Sequence, residues 1–165
     1  MDLGLNNITA EGLKSLQLPK NLQSINLRGN RIGDEGTKLL QFPKNLKTLD
    51  LNKINISTHG LKYLHLPENL QSINLRDNSI GAEGMKDMQL PLYLKSLDLQ
   101  GNRIEAKGII HLHLPVNLQY LNLCHNCIGD RGAQNLRLPT NLQSLNLRCN
   151  NIGIEGAKSL QLPDN

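Results

Sequence analysis

Apolar residues return along this chain on two alternating rhythms. Around Ile25, Asn26 and Leu27 they alternate with polar residues, the period of a short strand with Leu and Ile inward and Ser24 and Asn26 outward. After Ile32 the spacing lengthens: Gly36, Leu40 and Phe42 fall on the inner side of about two helical turns, with Glu35 and Lys38 outward. The cycle of strand, turn, short helix and return then repeats. All seven prolines, Pro19, Pro43, Pro67, Pro91, Pro115, Pro139 and Pro163, fall at an interval of 24 residues. Aligned on them, each unit reads L-x-x-L-x-L-x-x-N-x-I-x-x-x-G-x-x-x-L-x-L-P-x-N, as in LQSINLRGNRIGDEGTKLLQFPKN from Leu22 to Asn45. Complete units begin at Leu22, Leu46, Leu70, Leu94, Leu118 and Leu142, Met1 enters the pattern at the position of Ile25, and Asn165 falls on a unit boundary.

One such unit cannot bury its apolar side, but stacked units share a continuous core. The expected domain is therefore a single solenoid over 1–165, with a partial first unit 1–21 and six full units 22–165. Its strands form a parallel sheet with rungs about 4.8 Å apart. Helices are wider than strands, so the stack bends into an arc with the sheet concave and the helices convex. Asn6, Asn30, Asn78, Asn102, Asn126 and Asn150 occupy the turn after each strand, where an inward amide satisfies the backbone of neighbouring turns, and a buried ladder is expected. LNKINIS breaks it by placing Ile54 where Asn belongs. A slip that substitutes Asn52 or Asn55, and a locally irregular second unit, are expected. Gly12, Gly36, Gly60, Gly84, Gly108, Gly132 and Gly156 sit inside the helices, where glycine costs about 1 kcal/mol. Their recurrence implies close contact between adjacent helices.

The L-x-x-L-x-L-x-x-N motif resembles that of leucine-rich repeat proteins. The following I-G-x-E-G-x-x-x-L segment is similar to ribonuclease-inhibitor-like repeats, especially the 24-residue GALA class of bacterial effectors, and the L-P-x-N-L junction resembles effector proteins whose repeats carry an L-P pair. The resemblance implies an α/β leucine-rich repeat solenoid, a horseshoe arc, that binds a protein and is not an enzyme. Extended to biology, it implies a bacterial effector acting on a host protein, or the recognition arm of a ubiquitin-ligase adaptor. The corresponding location is the cytoplasm, or a host cell's cytoplasm reached without a classical signal peptide.

Composition narrows the chemistry. Aromatic residues make up 2% of the chain, which leaves almost no stacking platform for bases or sugars. The net charge of +4 is carried by scattered Lys and Arg, so no nucleic-acid partner is expected. No stretch approaches 18 apolar residues, and no membrane partner is expected either. The odd number of cysteines does not make a secreted disulfide framework. Neither end begins or finishes a recognisable polar cap, which leads to the expectation of end-to-end self-association or a missing neighbouring segment.

The predicted docking surface is the concave sheet. One column runs Asn26, Asp50, Asn74, Asp98, Asn122 and Asn146; beside it lie Ser24, Thr48, Ser72, Ser96, Tyr120 and Ser144, and then Gln23, Lys47, Gln71, Lys95, Gln119 and Gln143. Units one and three share LQSINLR, whereas units two and four share LK-[TS]-LDL, a super-period of 48 residues. Arg28, Arg76 and Arg148 project at the strand exits. These arginines with Asp50, Asp98, Tyr120, Asn122 and Asn146 are the expected partner contacts, against the plainer reading that Arg and Asp merely neutralise one another across rungs. Tyr120 is the strongest single anchor, because aromatic residues are enriched at interface hot spots. The convex lysines Lys14, Lys38, Lys62, Lys86 and Lys158 read as a solvated face, since Glu11, Glu35, Glu83 and Glu155 precede four of them at i, i+3.

NLCHNCIG, residues 122–129, carries the alternative chemistry. Cys124, Cys127, Cys149 and His125 fall on two adjacent turns, so a metal- or redox-responsive site is the second reading. The repeat argues against it, because Asn126 between the cysteines is committed to the ladder. No metal, no cofactor and no catalytic residue is therefore expected, and the open question is whether Cys127 and Cys149 approach each other. His111 and His113, with His65 one unit before His113, lack an accompanying carboxylate cluster.

Overall fold

The structure, a computed structural model, describes residues 1–163. Asp164 and Asn165, where the expected C-terminal unit boundary falls, lie outside the described residues. Each unit contributes a three-residue strand: β1 (Ser24–Asn26), β2 (Thr48–Asp50), β3 (Ser72–Asn74), β4 (Ser96–Asp98), β5 (Tyr120–Asn122) and β6 (Ser144–Asn146). The strands pair in chain order as one parallel sheet, and Ile25, Leu49, Ile73, Leu97, Leu121 and Leu145 stand in register across it. Residues 1–3 extend this edge, with Asp2 bridging to Asn26. The sheet is open and lines the concave side.

Opposite it lie α1 (Ala10–Leu13), α2 (Gly33–Thr37), α3 (Thr58–Leu61), α4 (Gly81–Gly84), α5 (Glu105–Ile109), α6 (Gly129–Asn135) and α7 (Ile154–Ser159). Most are shorter than the two turns that the pattern predicts. In the first full unit the helix gives way to tighter i to i−3 bonds, Leu39 N–H to Gly36 O at 2.9 Å and Leu40 N–H to Thr37 O at 3.3 Å. Pro43 then holds Phe42 extended. Leu40 is buried and Phe42 half-buried beyond the helix, so the apolar spacing past Gly36 belongs to the return segment.

The glycines mark where consecutive helices touch. A Cβ on Gly108 would stand 3.0 Å from the backbone of Ala82 in α4 and 2.7 Å from Ile104 Cγ2. On Gly156 it would stand 2.8 Å from the Asp130 Cα. Gly12, in α1, meets only Ile8 at 3.6 Å. The glycine column thus serves the contact with the preceding helix, and at Gly12, with no earlier helix among the described residues, the space is open.

Asn30, Asn78, Asn102, Asn126 and Asn150 are buried and aligned. Asn126 shows the full pattern: its amide donates to Leu99 O at 2.9 Å and Leu123 O at 3.0 Å, and its carbonyl oxygen accepts from Asn102 N–H at 3.0 Å; Asn102 donates in the same way, but its own Oδ1 has no hydrogen-bond partner. Each such side chain ties its own strand exit to the preceding turn. Asn6 departs from the expected burial: it is exposed and bonds only locally, to Leu3 O and Gly4 O, because among the described residues no turn precedes it. The second unit also departs from expectation. It does not slip: β2 keeps its register with both neighbours, Asn55 is exposed, and Ile54 fills the vacated rung completely buried. The isoleucine buries an apolar side chain in place of the amide, so the rung loses hydrogen bonds while β2 stays in register. Asn52 is buried nearby, but it stands in the column of Arg28 and its Oδ1 has no hydrogen-bond partner.

Candidate functional site

Along the concave sheet the Asn/Asp column does structural work before it meets any partner. In every rung the side-chain oxygen accepts from the N–H two residues on, as with Asp98 Oδ1 from Gln100 N–H at 2.9 Å and Asn146 Oδ1 from Arg148 N–H at 3.0 Å. This Asx turn bends the chain out of the strand. The remaining oxygen of each aspartate accepts from the next rung: Asn74 Nδ2 donates to Asp50 at 3.2 Å and Asn122 Nδ2 to Asp98 at 3.0 Å. The 48-residue alternation therefore pairs each Asp with an Asn, whereas the neutralising reading pairs it with Arg. Asp50, Asp98 and Asn146 remain half-buried and Asn122 is buried.

The cations stand apart from these acids. Arg76 is half-buried and bonds its neighbour, Nε to Asp77 Oδ2 at 3.1 Å. Arg28 and Arg148 are exposed, and among the described residues neither has an ion-pair partner. Tyr120, 36% exposed, lies beside Asp98 and Asn122. Burial, and then the Asp98 carboxylate, push its phenol above the usual range, so it presents a neutral O–H. The convex lysines contrast with this: Lys14, Lys38, Lys86 and Lys158 each pair with the glutamate three residues before, at 2.6 to 3.1 Å, and Lys62 lies 3.9 Å from Asp87. The hydrogen bond from Lys86 holds the Glu83 carboxyl below its ordinary range.

At the strand-entry rim lies a groove of about 750 Å³. One wall is the column Gln23, Lys47, Gln71 and Lys95. These side chains face outward although the next residue does too, because N–H groups of two successive residues, Lys47 and Thr48, both reach Gln23 O at 2.8 and 3.0 Å. The same doubled bond recurs at Lys47 O, Gln71 O, Lys95 O and Gln119 O. The other wall is the last residue of each repeat, Asn45, Asn69, Tyr93 and Asn117. Here the asparagines form a second, outer ladder: Asn69 Nδ2 donates to Lys44 O at 3.1 Å, Asn117 to Leu92 O and Asn141 to Val116 O, both at 3.0 Å. Tyr93 replaces an asparagine in it and is 61% exposed, with Leu92 beside it at 71%. Attention to strand residues alone misses Tyr93; its signal is the departure from the L-P-x-N consensus.

The cysteines are separated by the turn itself. His125 and Cys127 flank Asn126 with left-handed backbone, φ 55° each, and both side chains are exposed while the asparagine points inward. Cys149 occupies the left-handed position of the next unit, φ 57°, and is also exposed. Cys124 does not stand at an exposed rim: it is buried, and burial, then Cys149, push its thiol up. All three thiols are free. Among the described residues no group of three or more His, Cys, Asp or Glu is placed to hold a metal ion. His59, His65 and His113 are exposed and His111 half-buried; His59 makes an edge contact with Tyr63 at 5.5 Å.

With the geometry in place, comparison with known proteins fixes the family. Segments 1–16, 19–40, 67–88, 92–112, 116–136 and 139–160 match the family described as Leucine Rich repeat. The chain belongs to the leucine-rich repeat family. The unmatched stretch between 40 and 67 contains the unit in which Ile54 replaces the ladder asparagine. Among solved structures, this leucine-rich repeat array is similar to the leucine-rich repeat-containing protein LegL7 from Legionella pneumophila, with 22% identity and a TM-score of 0.61. The match covers 91% of this chain and 55% of LegL7, so the array spans about half of that protein, and the likeness is one of fold. Among curated proteins nothing matches. No helix among the described residues is long and apolar enough to cross a membrane.

Proposed function

We propose that this leucine-rich repeat array is a non-enzymatic scaffold that docks a partner protein on its concave face. The observation that carries the reading is the contrast between its two sides. All five lysines of the convex column have a carboxylate within 4 Å, whereas Arg28 and Arg148 on the concave side have none among the described residues. Unpaired arginines on the same face as a partly exposed tyrosine suit an interface, where Arg and Tyr are enriched among the residues that dominate binding. Asp50, Asp98, Asn122 and Asn146 shape the strand exits; in this reading the outer faces of Asp50, Asp98 and Asn146 meet the partner, whereas Asn122 is buried and drops out of the expected contacts.

The repeat supplies its own conservative substitutions for a test. Tyr120→Ser, Asp98→Asn and Arg148→Gln each install a residue found elsewhere in the same column. The GALA resemblance makes a host-cell lysate the first source of prey. Prey captured by the native array and lost by the triple variant supports the reading. Prey retained by that variant, but lost when Lys14, Lys38 and Lys86 are changed to Gln, moves the site to the convex face and defeats it.

A further inference from the structure

We infer that the strand-entry groove takes an extended acidic peptide in a polyproline-II conformation, with a carboxylate at every third residue. This rests on the docking reading above and gives it a ligand chemistry. Lys47 and Lys95 are exposed on the same wall two rungs apart, and among the described residues neither has an acidic partner. Two spacings of a parallel sheet make about 9.6 Å. A polyproline-II helix has three residues per turn and rises about 3.1 Å per residue, so side chains three apart recur on one face every ~9.3 Å. A β-extended peptide places residues two apart on one face, at about 6.7 Å, and does not match.

The rest of the groove suits the same occupant. Such a helix has no internal hydrogen bonds, so its carbonyls are free to accept. Gln71, midway between the lysines, and Gln23 beyond Lys47 supply amide donors on the same wall. Tyr93 rises from the opposite wall as an exposed ring, the kind of surface on which proline-rich segments pack. No acidic residue lines the groove.

Fluorescence anisotropy at low salt with a labelled peptide of five Glu-Pro-Pro triplets tests the inference. Its control is an isomer of the same composition whose acids lie alternately two and four residues apart. Two exposed charge pairs correspond to about a three- to tenfold preference for the periodic peptide, lost as salt rises. Lys47→Gln with Lys95→Gln, which makes the wall uniformly glutamine, abolishes the preference. Tyr93→Asn, which restores the outer ladder, weakens binding without changing its salt dependence. Circular dichroism confirms that the variants fold. Equal binding of the two isomers, no binding of either, indifference to the lysine changes, or tighter binding of an oligothymidylate overturns the inference. If the peptides fail while the Tyr120, Asp98 and Arg148 changes still abolish prey capture, only this inference falls. If the peptide results hold while capture survives those changes, it is the central columns that are wrongly assigned.

Discussion

Alanine at Gly12 and alanine at Gly108 are the same chemical change at equivalent positions of the repeat, and the structure gives them opposite signs. At both sites a methyl removes the backbone-entropy penalty of a helical glycine, about 1 kcal/mol in favour of alanine. At Gly12 the new Cβ meets one side-chain atom at 3.6 Å, ordinary contact, so the gain stands. At Gly108 it meets the Ala82 backbone at 3.0 Å and Met85 Cγ at 3.1 Å, besides Ile104 within its own turn. Backbone cannot rotate aside, so α4 and α5 must separate, and overpacking of this kind costs about 1–3 kcal/mol. The net expectation is a gain of about 1 kcal/mol at Gly12 and a loss of up to about 2 kcal/mol at Gly108. Urea unfolding followed by circular dichroism reads the Gly108 change. Units of such a stack also open locally, so the Gly12 change is read by slower amide exchange at Leu13, whose N–H bonds Thr9 O. Equal stabilisation at both sites would refute the idea that the glycine column exists for helix contact.

The inner ladder and the thiols give further tests. Asn126→Ala removes one of two amide donors from the Leu99 and Leu123 carbonyls and leaves the Asn102 N–H unpaired, a loss of about 2–4 kcal/mol in urea unfolding, whereas Ile54→Asn exchanges buried apolar surface for new hydrogen bonds and stays within about 1 kcal/mol of native. A tolerated Asn126→Ala would mean that the ladder contributes little. Iodoacetamide near neutral pH is expected to modify Cys127 and Cys149 rapidly and Cys124 only after unfolding, with peptide mass spectrometry as readout. Because the Cys124 thiol is pushed up in the fold, its contribution to stability is complete below the unfolded pKa and is lost as pH rises through the folded one. Unfolding midpoints measured on the alkaline side therefore decline more steeply in the native protein than in a Cys124→Ala variant, which keeps only the contribution of other groups such as Tyr120.

The repeat period makes most of the fold legible, because the strand-centre positions of Ile25, Leu49 and Ile73 and the turn asparagine face one environment in every unit. Sequence falls short wherever a feature depends on the neighbouring unit or on the chain just beyond an element. The helices read too long since Leu40 and Phe42 keep a helical spacing, yet it is the proline after them that decides their backbone. Ile54 suggests a slip when only the missing hydrogen-bonding group is weighed and the apolar surface its replacement buries is not. Cys124 aligns with the exposed Arg28, but its short side chain does not reach solvent past the next rung. Tyr93 lies at a corner, outside the strand pattern that defines the candidate surface.

The two tyrosines also bear on how a periodic surface can be addressed at all. An array whose outward residues repeated without fault would offer a partner several equivalent frames, each shifted by one or two units, and bound complexes would be a mixture of sliding registers. Tyr93 occurs once in the outer asparagine column and Tyr120 once in the Ser/Thr column, at consecutive rungs. Together they single out one frame from the rest, so that a ligand docked in the proposed way would be fixed in its position along the arc as well as held there.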